Sequence, residues 1–384
     1  MTSLLIIVVL VLISIAVWQL IKIFDLTQVG TQSDDSQVAS DADNNVNGYL
    51  MFAFLGFIYI FTIYGLYKWG HLVLGTPASE HGAEVDMLMN ISMALIFFVQ
   101  TFTQALLHYF SFKYRGKKGA KALFFADNNK LELLWTGIPV VVLFGLILYG
   151  LYAWNTIMFV PEDEEVMVVE LYAKQFGWEA RYSGKDNTLG KSNVRYIQGI
   201  NTLGIDATDP NAQDDIVVNE LHLPKGKKVL FKIRSQDVLH SAYMPHFRAQ
   251  MNCVPGMVTQ FAFTPIITTA EMRQDPAIVE KVNTINQIRA KKSEVLKAKG
   301  EEGLEPYTFD YLLLCNKICG ASHYNMQMKI VVESADEFKN WLKDKPTFGE
   351  ALKAQNTEAE VKETPVADSV VVAKDSAAIV KDKK

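Results

Sequence analysis

Cys315-Asn316-Lys317-Ile318-Cys319-Gly320-Ala321-Ser322-His323-Tyr324-Asn325-Met326 is the stretch whose reading decides the fold. Two thiols four residues apart, an imidazole four further on and a thioether three beyond that make a compact set of soft ligands. Such a set suits copper better than calcium, magnesium or manganese, which prefer oxygen. Zinc also takes Cys and His, but Met is an unusual zinc ligand. On either side the pattern is that of strands: Phe309, Tyr311 and Leu313 alternate before the cluster, and Met328, Ile330 and Val332 after it. A metal loop joining two strands of a sandwich is therefore expected.

The spacing C-x-x-x-C-G-x-x-H-x-x-M resembles the copper A signature of the cytochrome c oxidase subunit II family, whose outer domain is a cupredoxin-like sandwich. A second stretch, Ser235-Gln236-Asp237-Val238-Leu239-His240-Ser241, resembles the S-x-D-V-x-H-S that supplies that family's first copper histidine. From the residues alone His222, His240 and His246 are all candidates; the motif selects His240. The resemblance implies two copper ions held by His240, Cys315, Cys319, His323 and Met326, with the backbone carbonyl of Lys317 as a further weak contact. The bland alternative for the thiols is a Cys315–Cys319 disulfide in an oxidising compartment. Cys253 lies outside both motifs and reads as a small buried hydrophobe.

Two positions depart from the family. Lys317 stands where the family usually has a Glu that helps bind magnesium. An ammonium cannot replace a carboxylate ligand, so no family-type Mg²⁺ site is expected. Gln175-Phe176-Gly177-Trp178 matches a Q-W-x-W segment whose first Trp receives electrons from cytochrome c. Phe176 keeps a flat π surface but loses the indole N–H. Electron entry at Phe176, beside Trp178, is the functional reading, and plain packing is the alternative.

At 384 residues the chain has room for more than one domain, and its apolar residues concentrate before Val160. Four apolar runs approach the roughly 20 residues that cross a hydrocarbon core: Leu4–Phe24, Tyr49–Tyr67, Met87–Phe110 and Leu133–Ile157. Residues 1–24 form an extra span or a signal peptide, although Met-Thr-Ser lacks a basic leader. An acidic linker, 25–48, leads to three spans over 49–157. The loop 111–131 carries Lys113, Arg115, Lys117, Lys118, Lys121 and Lys130 against Asp127 alone, which marks it as cytoplasmic and everything after Ile157 as outside. Asp34, Asp35, Asp41 and Asp43 in the first inside loop have no cations near them in sequence. Leu131-Glu132-Leu133-Leu134-Trp135-Thr136-Gly137-Ile138-Pro139 resembles the family's L-E-x-x-W-T-x-x-P helix, whose glutamate lies at the entrance of a proton path. The bland reading of Glu132 is helix capping with Asn129.

The outside domain, 158–335, shows strand candidates at Val166–Leu171, Trp178–Tyr182, Ile216–Leu223, Lys228–Ile233, Met257–Phe263, Phe309–Leu314 and Met328–Glu333. An insertion, 267–305, holds a helix opened by Asp275-Pro276 and stopped at Gly300, with an apolar stripe of Ile278, Val282, Ile285 and Ile288. From 336 to 384 the chain is a charged, partly disordered tail, with a short helix through Leu342 and disorder or partner-dependent order expected from Lys345.

The fold expected is a membrane α-helical anchor followed by an all-β cupredoxin-like sandwich. The resemblance implies subunit II of a respiratory haem–copper oxidase in a bacterial plasma membrane, its copper domain on the periplasmic face. Its partners would be subunit I, other oxidase subunits, membrane lipid and a soluble or tethered cytochrome c. The chain lacks C-x-x-C-H, so no haem is attached covalently, and a net charge of -5 argues against nucleic acid. The alternatives are a copper-free structural subunit of a quinol oxidase and a membrane-anchored copper carrier.

Overall fold

Long apolar runs bounded by polar residues dictate the first elements. The structure, a computed structural model, describes residues 2–28, 39–161 and 164–363. The chain divides into two units: Met1–Gly75 with Glu84–Thr156, and Thr76–Ala83 with Ile157–Lys384.

The first unit is helical: α1 (Thr2–Gln28), α2 (Asp41–Trp69), α3 (Gly82–Lys113) and α4 (Asn129–Met158). Among the described residues three stretches are long and apolar enough to cross a membrane, Asp41–Leu72, Gly82–Lys113 and Asn129–Met158; a fourth, Val8–Ile23, is shorter. Their apolar side chains are exposed on all sides, Phe61, Phe98 and Val141 among them, as expected where lipid is the solvent. The helix α2 starts inside the expected 25–48 linker, because Ser40 caps it by accepting from the Asp43 amide at 3.2 Å. Two acidic residues without sequence neighbours find partners here. Asp43 pairs with Lys22 of α1 at 3.1 Å, and Asp41 accepts from the Lys118 amide at 2.8 Å. Arg115 binds Asn45 at 2.6 Å, so the basic loop and the start of α2 lie together. The cap of α4 is Asn128, accepting from the Leu131 amide at 3.1 Å, and not the expected Asn129.

The second unit is a sandwich of two five-stranded sheets. Its strands are β1 (Met167–Lys174), β2 (Gly177–Tyr182), β3 (Ile216–Val218), β4 (Leu221–Pro224), β5 (Val229–Ser235), β6 (His240–Met244), β7 (Ala249–Cys253), β8 (Thr259–Phe263), β9 (Tyr311–Cys315) and β10 (Gln327–Glu333). One sheet runs β3-β2-β1-β5-β8 and the other β4-β10-β9-β6-β7. Alternate residues face inward, as the two-residue period requires. Val169, Leu171 and Ala173 of β1 meet Phe231 and Ile233 of β5, Tyr311 and Leu313 of β9, and Ile330 and Val332 of β10 in one core. Phe263 stacks on Phe231 at 5.1 Å and on Phe247 at 4.8 Å.

Four expectations need correction. Ile216–Leu223 is not one strand: it breaks at Asn219-Glu220, and β3 and β4 belong to different sheets. The strands β6 and β7 were not anticipated: each is only five residues long, β6 opens on the polar His240 and Ser241, and the alternation of Ala249, Met251 and Cys253 with Gln250 and Asn252 in β7 is too short a signal. In the insertion, Ile278 and Val282 pack on the core, but Ile288 is exposed. The later turns of this helix, α6 (Pro276–Ala298, preceded by the short α5, Thr269–Met272), bond to their own return segment through Asn286 to Tyr307 O and Arg289 to Glu305 O. The tail is not detached from Lys345: after α7 (Ala335–Lys343), α8 (Phe348–Glu363) buries Phe348 against Tyr172, Leu203 and Ile205. Residues 364–384 lie outside the described residues.

The segment Thr76–Ala83, which leads from α2 to α3, is built into the sandwich. The Ala78 amide donates to His246 O at 2.7 Å, the Ile266 amide to Ala78 O at 2.8 Å, and Ser79 Oγ to Phe247 O at 2.7 Å. These bonds make the segment part of the sandwich unit.

Phe263→Ala is expected to cost about 3–5 kcal/mol of unfolding free energy, as an aromatic removed from a packed core does; chemical denaturation measures it. Burial, aided by Lys281 and Arg248, lowers the pKa of His246 from 6.5 to about 4. The unfolded chain therefore takes up a proton that the folded chain refuses as pH falls through that window. Stability should drop by up to about 3 kcal/mol between roughly pH 6.5 and 4 from this group, and His246→Phe should flatten that part of the curve.

Candidate metal centre

The turn between β5 and β6 is built on one carboxylate. Asp237 Oδ1 accepts from the Val238 amide at 2.7 Å and from His240 Nε2 at 2.8 Å; its Oδ2 accepts from the Gln175 amide at 2.7 Å. Burial raises the Asp237 carboxyl, but the hydrogen bonds from His240, Gln175 and Val238 outweigh it and hold the group below its usual range. With Nε2–H given to Asp237, the Nδ1 lone pair of His240 is left to face Cys315 Sγ at 3.8 Å. His240 is fully buried, so its ring has no freedom to turn away.

The second half of the site leaves the end of β9. The Cys315 amide donates to Met326 O at 3.1 Å and the Asn316 amide to Ser241 O at 3.0 Å, which closes the Cys315–Met326 loop and ties it to β6. Inside the loop Cys315 Sγ lies 3.8 Å from Cys319 Sγ and 3.2 Å from Lys317 O. Cys319 Sγ lies 3.6 Å from His323 Nδ1 and 3.7 Å from Met326 Sδ. Both thiols are free, and their separation is far beyond the ~2.05 Å of a disulfide. One ligating atom each from His240, Cys315 and Cys319 lie within 4.8 Å of one another. Burial, with the neighbouring Cys315 thiol, pushes the Cys319 thiol up to about 11, so a metal entering here must displace protons.

The β1–β2 turn covers the loop. Gln175 Nε2 donates to Cys319 O at 2.5 Å. Gly320 has φ +140°, and a Cβ there would lie 2.8 Å from the Phe176 ring, so only glycine lets the aromatic ring rest on the loop. Phe176 is partly exposed, while Trp178 is buried with its ring 6.3 Å from that of His240. The Lys317 side chain points to solvent.

Of the competing histidines neither joins the cluster. His222 stacks on Trp341 at 3.8 Å and bonds Glu333 at 2.8 Å; His246 packs against Phe309 and Tyr311. Glu132 sits exposed in the first turn of α4, in the helical unit. Sequence reasoning assigned no role to Asp237, Gln175 or Gly320. The available signal was an acid three residues before the selected histidine; Gln175 acts from another turn and carries none.

Known proteins resemble the chain throughout this architecture. Residues 67–152 match the family described as cytochrome C oxidase subunit II, transmembrane domain, and residues 167–271 the cytochrome C oxidase subunit II, periplasmic domain. The second match stops before α6, so the Cys315–Met326 loop lies beyond it. An alternative cytochrome c oxidase subunit 2 of Bradyrhizobium diazoefficiens is 34% identical over 278 residues, 71% of this chain and 84% of that one. A cytochrome c oxidase subunit 2 of Thermostichus vulcanus is 22% identical over 298 residues, 71% of this chain and 78% of that one. Among solved structures, the periplasmic domain of subunit II of cytochrome oxidase from Bradyrhizobium japonicum aligns with 48% of this chain and 95% of its own, at 16% identity and a TM-score of 0.28. With apolar helices, a sandwich and extended similarity to the Bradyrhizobium diazoefficiens protein all in agreement, the chain belongs to the cytochrome c oxidase subunit II family and is a subunit of a haem–copper oxidase.

Proposed function

We propose that this subunit accepts electrons from cytochrome c and passes them to the haem-bearing subunit I, using two copper ions held as a copper A centre. The observation that carries the reading is the convergence of His240, Cys315, Cys319, His323 and Met326 with the Lys317 carbonyl, each within 3.2–3.8 Å of a cysteine sulfur. The donor set fits copper: thiolates and thioether favour Cu(I), and imidazole suits both oxidation states. When bound, the pair supplies a one-electron couple. The protein's part is to hold the geometry. Asp237 fixes the His240 tautomer, Gln175 pins the Cys319 carbonyl, and the two backbone bonds at Cys315 and Asn316 limit movement of the loop.

Phe176 is the proposed electron entry, supported by its partial exposure and its seat against Gly320, with Trp178 behind it beside His240. Glu132 is proposed as the entrance of a proton path, supported by its exposed place in the first turn of α4 within the matched transmembrane segment. At Lys317 an exposed ammonium replaces a magnesium carboxylate, so no family-type magnesium site is proposed. The sandwich lies outside a bacterial plasma membrane in this reading, the basic loop inside.

Copper determination on the purified full-length protein should give two ions per chain with the visible spectrum of a mixed-valence pair. Cys319→Ser should lose that spectrum. No copper, or one labile ion, would sink the reading in favour of a quinol-oxidase subunit or a copper carrier. Asp237→Ala should lower copper affinity by about tenfold or more, read by competition with a chelator, because an unanchored His240 ring is a poorer ligand.

A further inference from the structure

Three loops close the metal-bearing end of the sandwich, and they are held together as one surface. The Gln175 amide reaches Asp237 at 2.7 Å, Gln175 Nε2 reaches Cys319 O, and Ser235 bridges Pro255 of a fourth turn. Beside exposed polar groups such as Gln236, Asn316 and Asn325, this end turns several apolar side chains outward. Ile318 is 88% exposed and Tyr324 89%, and Leu239, Met257 and Val258 are also open, around the partly exposed Phe176. Apolar groups so far out of the core are costly unless something covers them, and a contiguous group of them marks an interaction surface.

Charge is scarce on the same surface. The stretches Lys174–Gly177, Gln236–Leu239 and Asn316–Asn325 carry a single carboxylate, Asp237. That carboxylate is taken up by three N–H donors. Of the two cations in those stretches, Lys174 pairs with Glu179 at 2.9 Å, and Lys317 lies within the metal loop. In these three stretches a partner steered by its own ring of lysines would find only this occupied carboxylate to meet.

We infer that the electron donor docks on this apolar end through Ile318, Tyr324, Met257 and Val258 around Phe176, and that it presents an uncharged, apolar rim around its own redox group. The inference rests on the electron-accepting role proposed above and specifies its partner. Association on such a surface is governed by apolar contact, so it depends little on ionic strength, unlike electrostatically steered docking, which slows steeply as salt rises.

The test is stopped-flow reduction of the oxidised centre in the assembled oxidase by two soluble c-type cytochromes. One has a haem edge ringed by lysines and the other a haem edge ringed by uncharged residues. Rates are compared from low to physiological ionic strength. The apolar-rimmed cytochrome should react faster, with a rate changing less than about twofold across that range. Tyr324→Asp and Val258→Asp should each slow it by about tenfold while the copper spectrum stays that of the wild type. A faster, steeply salt-dependent reaction with the lysine-ringed cytochrome overturns the inference. So does wild-type reduction of both variants, and so does their failure to assemble with the haem subunit, which would mean that a neighbouring subunit covers this face. A centre with no copper spectrum at all refutes the electron-accepting role itself, and the inference falls with it.

Discussion

The carboxylate of Asp237 is the contact on which the metal end depends. It receives a side-chain N–H from His240 and backbone N–H groups from Val238 and Gln175, so one residue sets the tautomer of the proposed ligand and joins two turns. Asp237 lies in a surface turn with its side chain 30% exposed, and its oxygens are nevertheless taken up by these donors, which orient the site. Gln175 extends the arrangement to the cysteine loop through Cys319 O. Phe176 follows in sequence and lands on Gly320, the glycine that makes room for it. The site is thus rigid by construction from strands that were already paired.

A buried ionic cluster lies on the sheet that holds β1, β2 and β5. Arg181 of β2 is fully buried, with Glu170 at 2.6 Å, Asp215 at 3.0 Å and Gly190 O at 3.0 Å; Arg234 pairs with Glu170 as well. Charges this deep persist because each has a partner, and loss of one would strand the rest. They are covered by the long β2–β3 connection, whose Leu203, Ile205 and Ala212 form a small core with Tyr172 and Phe348. That cover explains why β1 and β2 are buried on both faces, a pattern that one-sided alternation does not anticipate.

Much of the architecture was legible residue by residue. Apolar runs located the helices because a hydrocarbon solvent demands long uninterrupted apolar segments. Alternation found β1, β2, β5, β8, β9 and β10, and Asp275-Pro276 marked the start of α6, where Asp275 accepts from the Ala277 and Ile278 amides. The strands that escaped, β6 and β7, are only five residues each, and the split of β3 from β4 needs knowledge of which sheet each joins. The partner of Asp41 lay in the loop after α3 and that of Asp43 in α1, so a local charge count could not find them. Phe348 sat in a charged tail, where one aromatic is too weak a signal of packing.

What the sequence determined by itself was the chemistry: soft ligands at fixed spacings in Cys315–Met326, an apolar anchor, and a basic loop on one side of it. Short-range spacing and composition suffice for these because ligand type and hydropathy are properties of neighbouring residues. The family motif had already selected His240 over His222 and His246; the tertiary structure shows where each ring lies. One faces the sulfurs, one stacks on Trp341 and one packs on Phe309 and Tyr311. It also gave Asp237, Gln175 and Gly320 their roles and turned Ile318 and Tyr324 outward. Each of those depends on strands far apart in the chain being paired in a particular register, and register is set by the burial of a whole face, which no local pattern encodes.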